Sequence, residues 1–410
     1  MKSKSKIRGT STIIILTILF LASSCRKNFN INEFENLNND SLSFEGSLAG
    51  PVINTELKLV NFVPENDSSL WIEIDENDLI HLRMYYKDLI VMKMQDIYPT
   101  PDVLYPAAPG IIVPAKTKEL KTDTSKMKVY SNILTGKLYF QNPSFKFNIR
   151  NYIPVVTFFN ADTLTFYNYE NTAISHTEHT EYHIPAPSGY GTYADTSIII
   201  DTASMPVLDD VFAPVPRFFS FSISTGSHNP QVLPYGVTGE EEMHIDVDVD
   251  LPLDARLETI VMSDTINFMW DSETFEQIKS ATLKVRFKNG FPIDGFSQIY
   301  ITDTTATGDI GNIIDSLFTD TSLPDVTNEG WHLNPAETDA QGIVTISDVS
   351  EIIVSLSQER LNFLINSHAS RLLIVGKLNS YLSNTGFFVK LLGKYTMGVQ
   401  IAVKVDYDTN

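Results

Sequence analysis

Ser144-Phe-Lys-Phe-Asn-Ile-Arg-Asn-Tyr-Ile-Pro-Val155 can be laid over Thr282-Leu-Lys-Val-Arg-Phe-Lys-Asn-Gly-Phe-Pro-Ile293 without a gap. Lys146, Asn151 and Pro154 fall on Lys284, Asn289 and Pro292. Apart from Tyr152 opposite Gly290, every apolar residue falls on an apolar one. Apolar and polar residues alternate in both copies, which predicts a strand with one buried face, ended by an Asn-x-apolar-Pro turn.

Further matches keep the same order. Ile198-Ile199-Ile200 falls on Ile352-Ile353-Val354, and Arg217-Phe218-Phe219 on Arg371-Leu372-Leu373. Met243-His-Ile-Asp-Val-Asp-Val-Asp-Leu251 overlies Val399-Gln-Ile-Ala-Val-Lys-Val-Asp-Tyr407. One such match is a coincidence of strand composition. The whole ordered series predicts an internal duplication. The spacing grows between the first match and the second, which places an insertion of the second copy in 303–344, with a short helix near Ile313 to Phe318.

Each copy then reads as a run of short strands with one small helix. Ser204 is placed to cap Met205 to Val211, and Ser357 to cap Gln358 to Ile365. The expected fold is all-β with minor helix: two tandem, related β-sandwich-like units, each with one short helix. The units are expected at 42–252 and 253–410, with 42–124 read either as part of the first unit or as a separate segment. Within it, Leu70-Trp-Ile-Glu-Ile74 and Leu79 to Tyr86 alternate around the turn Asp75-Glu-Asn-Asp78, a hairpin. Pro99, Pro101, Pro106, Pro109 and Pro114 make Tyr98 to Pro114 a connection or an edge, not a central strand.

The chain opens differently. Lys2, Lys4, Lys6 and Arg8 precede an apolar run, Ile13 to Ala22, broken only by Thr17. Small residues Ser23 and Ser24 follow, then Cys25. This is the layout of an export signal over 1–24. Its apolar core is about 15 Å long as a helix, half a bilayer's hydrocarbon thickness. Ala22-Ser-Ser-Cys25 resembles the lipobox of bacterial lipoproteins, with Leu21 one place before the position where that family prefers leucine. The resemblance implies cleavage before Cys25 and acylation of its thiol, with palmitate among the attached chains. Cys25 is the only cysteine, and acylation gives an otherwise unpaired exported thiol a purpose. Arg26 is not the aspartate of an inner-membrane retention signal, so the resemblance implies an outer-membrane anchor. Residues 25–41, rich in Asn, read as a flexible tether.

Charge narrows the partners. The 30 basic and 50 acidic residues give −20, and four of the basic ones lie in the signal, leaving −24 on the rest. Such a surface repels nucleic acid and anionic headgroups.

Three groups of residues invite a site. His176, His179 and His183, with Glu178 and Glu181, are a candidate Zn²⁺ site, although on a strand His176 faces away from the other two; the plainer alternative is a polar solvated hairpin. Asp246, Asp248 and Asp250 share one strand face and are a candidate Ca²⁺ site, without a calcium loop; the plainer alternative is a solvated outer face. Trp71, Trp270 and Trp331 are either a sugar platform or core or edge packing. Asp303 to Asp315 lacks the acids of an EF-hand and reads as a loop. Gly46-Ser-Leu-Ala-Gly50 has its serine one place too early for a nucleophile elbow. No catalytic or cofactor motif is found.

The sequence therefore predicts a non-enzymatic, lipid-anchored cell-envelope protein with a binding or structural role towards a protein partner or a polysaccharide. The alternatives are a carrier of a lipid or other apolar ligand, and an envelope glycan hydrolase with two converging carboxylates.

Overall fold

The computed structural model describes residues 47–58, 70–127, 133–168, 173–177, 180–267, 278–303, 312–323, 325–367 and 369–407. Most of these are in strands. The chain divides into two compact units. Among the described residues, the N-unit comprises those in 70–127 and 135–255, and the C-unit those in 47–58, 133–134 and 256–407. The first described strand, β1 (Ser47–Lys58), belongs to the C-unit, because it pairs antiparallel with residues 396–407. This corrects the expected division, which put all of 42–252 in one unit. The segment 42–124 is neither separate nor whole: its first strand serves one unit and its remainder the other.

The N-unit begins with the predicted hairpin. β2 (Leu70–Ile74) pairs with β3 (Ile80–Lys93) around a turn in which the Asp75 carboxylate accepts the amides of Asn77 and Leu79 at 2.9 and 2.8 Å. The proline-rich run that follows is mostly turns, and β4 (Lys116–Lys121) comes after it. The duplicated motif is β5 (Ser144–Asn151), followed by β6 (Thr157–Tyr167) and β7 (Ala194–Ile200). After the short helix α1 (Leu208–Phe212) come β8 (Phe218–Ser227) and β9 (Glu242–Pro252). One sheet has the order β7-β5-β9-β3-β2; β6, β8 and β4 lie side by side in the other.

The two sheets close on phenyl rings. Phe145 from the first meets Phe166, Phe219 and Phe221 from the second, and Phe212 of α1, at centroid distances of 5.8 to 6.2 Å. All five rings are at most 1% exposed. Burying one such ring contributes about 1.5–3 kcal/mol.

The C-unit repeats the plan. β10 (Asp254–Asn267), β11 (Ile278–Asn289), β12 (Ile293–Thr302) and the short β13 (Gly330–Leu333) lead to β14 (Asp348–Ser357). The helix α2 (Gln358–Asn366), β15 (Arg371–Ser380) and β16 (Thr396–Tyr407) complete it. Its first sheet has the order β14-β11-β16-β1, and its second contains β13-β12-β15-β10. Val285, Phe287, Ile299, Trp331, Ile352, Leu372 and Ile374 share its core.

The ladders test the duplication directly. β5 pairs with β7 through Phe145–Ile200 and Phe147–Ile198; β11 pairs with β14 through Leu283–Val354 and Val285–Ile352. These are the residues that the sequence alignment superposes. On the last strand the alignment needs correction. Met243 pairs with Asn151 and Val247 with Phe147, whereas Asn289 pairs with Met397 and Val285 with Ile401. Met243 therefore corresponds to Met397, not Val399. The slip is by two residues, one strand period, so the apolar pattern could not reveal it. The match at Arg217 is also out, by one residue. Phe219 and Phe221 face the N-unit core, but Leu372 and Ile374, not Leu373, face the C-unit core.

Gly290 stands where the N-unit has Tyr152. Both amides donate to the neighbouring strand, to Glu242 O at 2.9 Å and to Thr396 O at 3.0 Å. At Gly290 a Cβ would come within 2.4 Å of the Thr396 carbonyl, so the closer approach in this copy requires glycine.

Both helix expectations hold in outline. Ser357 caps α2, its Oγ accepting the Arg360 amide at 3.2 Å. Ser204 does not cap α1: its hydroxyl is engaged with the Asp201 backbone, and the helix starts three residues later than predicted, at Leu208. The helix expected near Ile313 is instead the strand Ile313–Ser316, paired with β12. Residues 1–46, including the signal, Cys25 and the whole tether, lie outside the described residues, as do Trp270 and 304–311.

Candidate binding face

Five apolar residues of β9 (Met243, Ile245, Val247, Val249 and Leu251) are all fully buried. Strand alternation puts Glu242, His244, Asp246, Asp248 and Asp250 on the other side, the outer face of the N-unit's five-stranded sheet. Neighbouring strands supply cations and donors to that row.

Asp246 is the most constrained of these acids, at 7% exposed. Opposite it, β3 bulges: Ile245 pairs with Ile90 but Val247 with Tyr86. Inside the bulge Asp88 is left-handed, φ 48°. Its amide donates to Asp246 Oδ1 at 2.7 Å, the Tyr85 hydroxyl to Oδ2 at 2.8 Å, and Arg150 Nη2 to both oxygens at 3.3 Å. The carboxylate thus takes up a backbone amide that the extra residues leave out of the ladder. Burial opposes its charge, yet the Asp88 amide, the Tyr85 hydroxyl and Arg150 outweigh burial and hold its pKa below the ordinary value. Tyr85 moves the other way: burial, then the hydrogen bond to Asp246, pushes its phenol up to about 12.

The other acids are also engaged. Asp248 accepts from Asn148 Nδ2 at 2.7 Å, and Asn148 Oδ1 accepts the Ser197 hydroxyl at 2.9 Å. Asp250 lies 2.8 Å from His81 Nδ1 and 3.1 Å from Arg83 Nη1; Arg83 Nε also donates to Glu73 at 2.8 Å. His244 lies between Asp88 at 2.9 Å and Glu242 at 3.0 Å. Aromatic rings flank this network. Tyr152 packs 5.1 Å from Tyr193 and 6.0 Å from His244; Trp71 sits opposite Arg83 on the edge strand. Trp71 is 39% and Tyr193 47% exposed.

The Ca²⁺ reading does not suit this arrangement, because the three aspartates are turned to protein cations and amides. The Zn²⁺ reading fails on register. His176 lies opposite Leu164 and His183 opposite Phe158 on the same strand, six residues or about 20 Å apart. His179 and the His176 side chain lie outside the described residues. Among the described residues no group of three or more His, Cys, Asp or Glu side chains is placed to hold a metal ion. Trp331 is core, 5.8 Å from Phe318 and 6.3 Å from Phe287.

The corrected register allows the twin faces to be compared. Gln400, Ala402 and Lys404 occupy the places of Asp246, Asp248 and Asp250, and Gly398 that of His244. Arg286 and Lys288 replace Asn148 and Arg150. The C-unit face carries ordinary surface pairs, Lys284–Glu351 at 2.8 Å and Lys404–Asp406 at 3.1 Å. The fold is therefore built without the network, which only the N-unit carries. Sequence reasoning singled out the aspartates but missed Arg83, Arg150, His81 and Tyr85, which reach them from distant parts of the chain.

No protein-family model matches this chain, and no curated protein does. Among solved structures it is similar to a protein from Parabacteroides distasonis provisionally described as secreted, with 12% identity and a TM-score of 0.39 over 88% of this chain and 100% of that one. It is also similar to the N-terminal CBM22-1–CBM22-2 tandem domain of Paenibacillus barcinonensis Xyn10C, with 6% identity and a TM-score of 0.16 over 78% of this chain and 97% of that one. At these scores neither likeness carries weight.

Proposed function

We propose that this chain is a non-enzymatic, lipid-anchored protein of the cell envelope that binds a neutral polysaccharide on the outer face of the N-unit sheet. What supports the reading is that the network and its exposed rings belong to one of two otherwise matching units. Sugar rings offer C–H faces to aromatic side chains and hydroxyls to fixed carboxylates, amides and guanidinium groups. Trp71, Tyr152 and Tyr193 supply the first kind of contact and Asp248, Asn148 and Arg83 the second. The carboxylates on the face outnumber its guanidinium groups, and the chain as a whole is acidic, so an anionic polymer is disfavoured and a neutral one is not.

Two experiments test the two halves of this reading. For the ligand, retention of the full chain in native gels containing neutral polysaccharides falls at least about tenfold with Trp71→Ala plus Asp248→Ala, the loss of one ring contact and one hydrogen-bond acceptor. Unchanged retention rejects this face as the site. For the anchor, the chain expressed in a Gram-negative host partitions with outer membranes and carries the mass of acyl chains on Cys25; Cys25→Ser moves it to the soluble fraction. An unmodified thiol on membrane-associated protein refutes acylation.

A further inference from the structure

The C-unit has a concave surface on its second sheet. Phe296, Gln298 and Tyr300 line it from β12, Val375 and Lys377 from β15, Val261 from β10, and Asn328 and Glu329 from a hairpin tip. Its volume is about 310 Å³, at the low end of the roughly 300–1,000 Å³ usual for small-molecule sites. The hairpin crosses β12 closely at Gly330, where φ is 117° and an added Cβ would lie 2.4 Å from Ser297 O, which excludes a side chain. Lys377 Nζ donates to both oxygens of Glu329, at 3.0 and 3.2 Å. The floor is fixed: Gln298 donates to Phe318 O at 2.8 Å and accepts the amides of Ile299 and Phe318 at 3.0 and 3.1 Å. The His332 ring packs 4.8 Å from Phe296. On the corresponding strand of the N-unit, β8, the same side carries Ser220, Ser222 and Ser224, so Val375 and Lys377 of the trough have no like residue there.

We infer that the trough is a binding site for a single neutral sugar ring, stacked on Phe296 and Tyr300 with its hydroxyls between Glu329 and Lys377. The rim decides the class. An apolar ligand would strip water from both ions and return no hydrogen bond. An anion would meet Glu329 and a cation Lys377, each repelled by one member of the pair. A neutral polyol donates to the carboxylate and accepts from the ammonium while its C–H face covers the rings. The volume suits one ring or two, not a stretch of polymer. The inference shares a ligand class with the proposed function but uses other residues in the other unit.

The probe is a panel of neutral methyl hexosides and N-acetylhexosaminides, added singly to the full chain and followed by saturation-transfer NMR. At least one glycoside is expected to show transfer to its ring C–H protons. Glu329→Gln, on an exposed hairpin, and Phe296→Ala are each expected to weaken it at least about fivefold. Trp71→Ala is expected to leave it unchanged while lowering polysaccharide retention. The inference is overturned if no glycoside binds the wild-type chain, or if binding survives both trough variants, or if it follows Trp71 instead. A polysaccharide that fails to bind, with the glycoside still bound at the trough, rejects the N-unit reading alone.

Discussion

Alanine at Asn151 or at Asn289 destabilises the unit that contains it by about 3 kcal/mol, the sum expected from stranding several buried polar groups. The two asparagines are 0% and 1% exposed. Each Oδ1 accepts the amide two residues on, Ile153 or Phe291, at 2.9 Å. Each Nδ2 donates to two carbonyls: Val155 at 3.5 Å and Pro185 at 2.9 Å in the N-unit, Ile293 at 2.8 Å and Asn334 at 2.9 Å in the C-unit. The side chain builds the turn that carries the chain from one sheet to the other and also ties down a distant loop. Alanine leaves the amide and both carbonyls without partners in a place water does not reach. Aspartate restores only the acceptor and buries a charge, so it is no rescue. For a unit of this size the loss corresponds to about 6–12 °C. Calorimetry of the full chain is expected to show Asn151→Ala lowering one transition and Asn289→Ala the other. A shift under about 1 kcal/mol for either would show that its turn forms without the side chain.

The second large effect is at Asp246. Asp246→Ala is expected to cost the N-unit about 2–4 kcal/mol, because it strands the Asp88 amide, removes the Tyr85 partner and leaves Arg150 with Asp88 alone. Asp246→Asn separates charge from shape. The carboxyl has a lowered pKa in the folded chain, so its stabilisation is fully present above the ordinary carboxylate value of about 4. It is lost as pH falls below that value and through the lowered one. The wild-type N-unit therefore loses urea resistance progressively below about pH 4, and Asp246→Asn removes a share of that dependence. Parallel urea-midpoint profiles for the two chains across this range would mean that the bulge does not depend on the charge.

The features legible in the sequence were those written in local chemistry. Alternation marked the strands around Phe145 and Val285, the Asn-x-apolar-Pro turn announced itself twice, and the Asp75 turn predicted its hairpin. What could not be read was partnership. Nothing in Ser47–Lys58 says that it joins a strand some 340 residues later, because ladders are made by backbone groups that every residue carries. Nor does the acidic row on β9 reveal that Arg83, His81 and Arg150 face it. An error of one strand period kept every apolar residue on its proper side, so the slipped alignment of Met243 left no trace in composition. It also hid the telling comparison: Asp246, Asp248 and Asp250 correspond to Gln400, Ala402 and Lys404 of the other copy, so none of the three carboxylates recurs there. At Ile313 an apolar cluster too short to show a period was read as helix and is strand.

On the proposed function, only one of the twin sandwiches carries the binding face. The most direct test is paired native-gel retention of the full chain on a neutral polysaccharide, with melting curves as a control for folding. One variant alters the N-unit face through Trp71→Ala and Asp248→Ala, and the other alters the matching C-unit face through Lys284→Ala and Lys404→Ala. Loss of retention in the first, with the second indistinguishable from wild type, is the predicted result. Equal retention in all three chains, or loss caused by the C-unit pair, would contradict it.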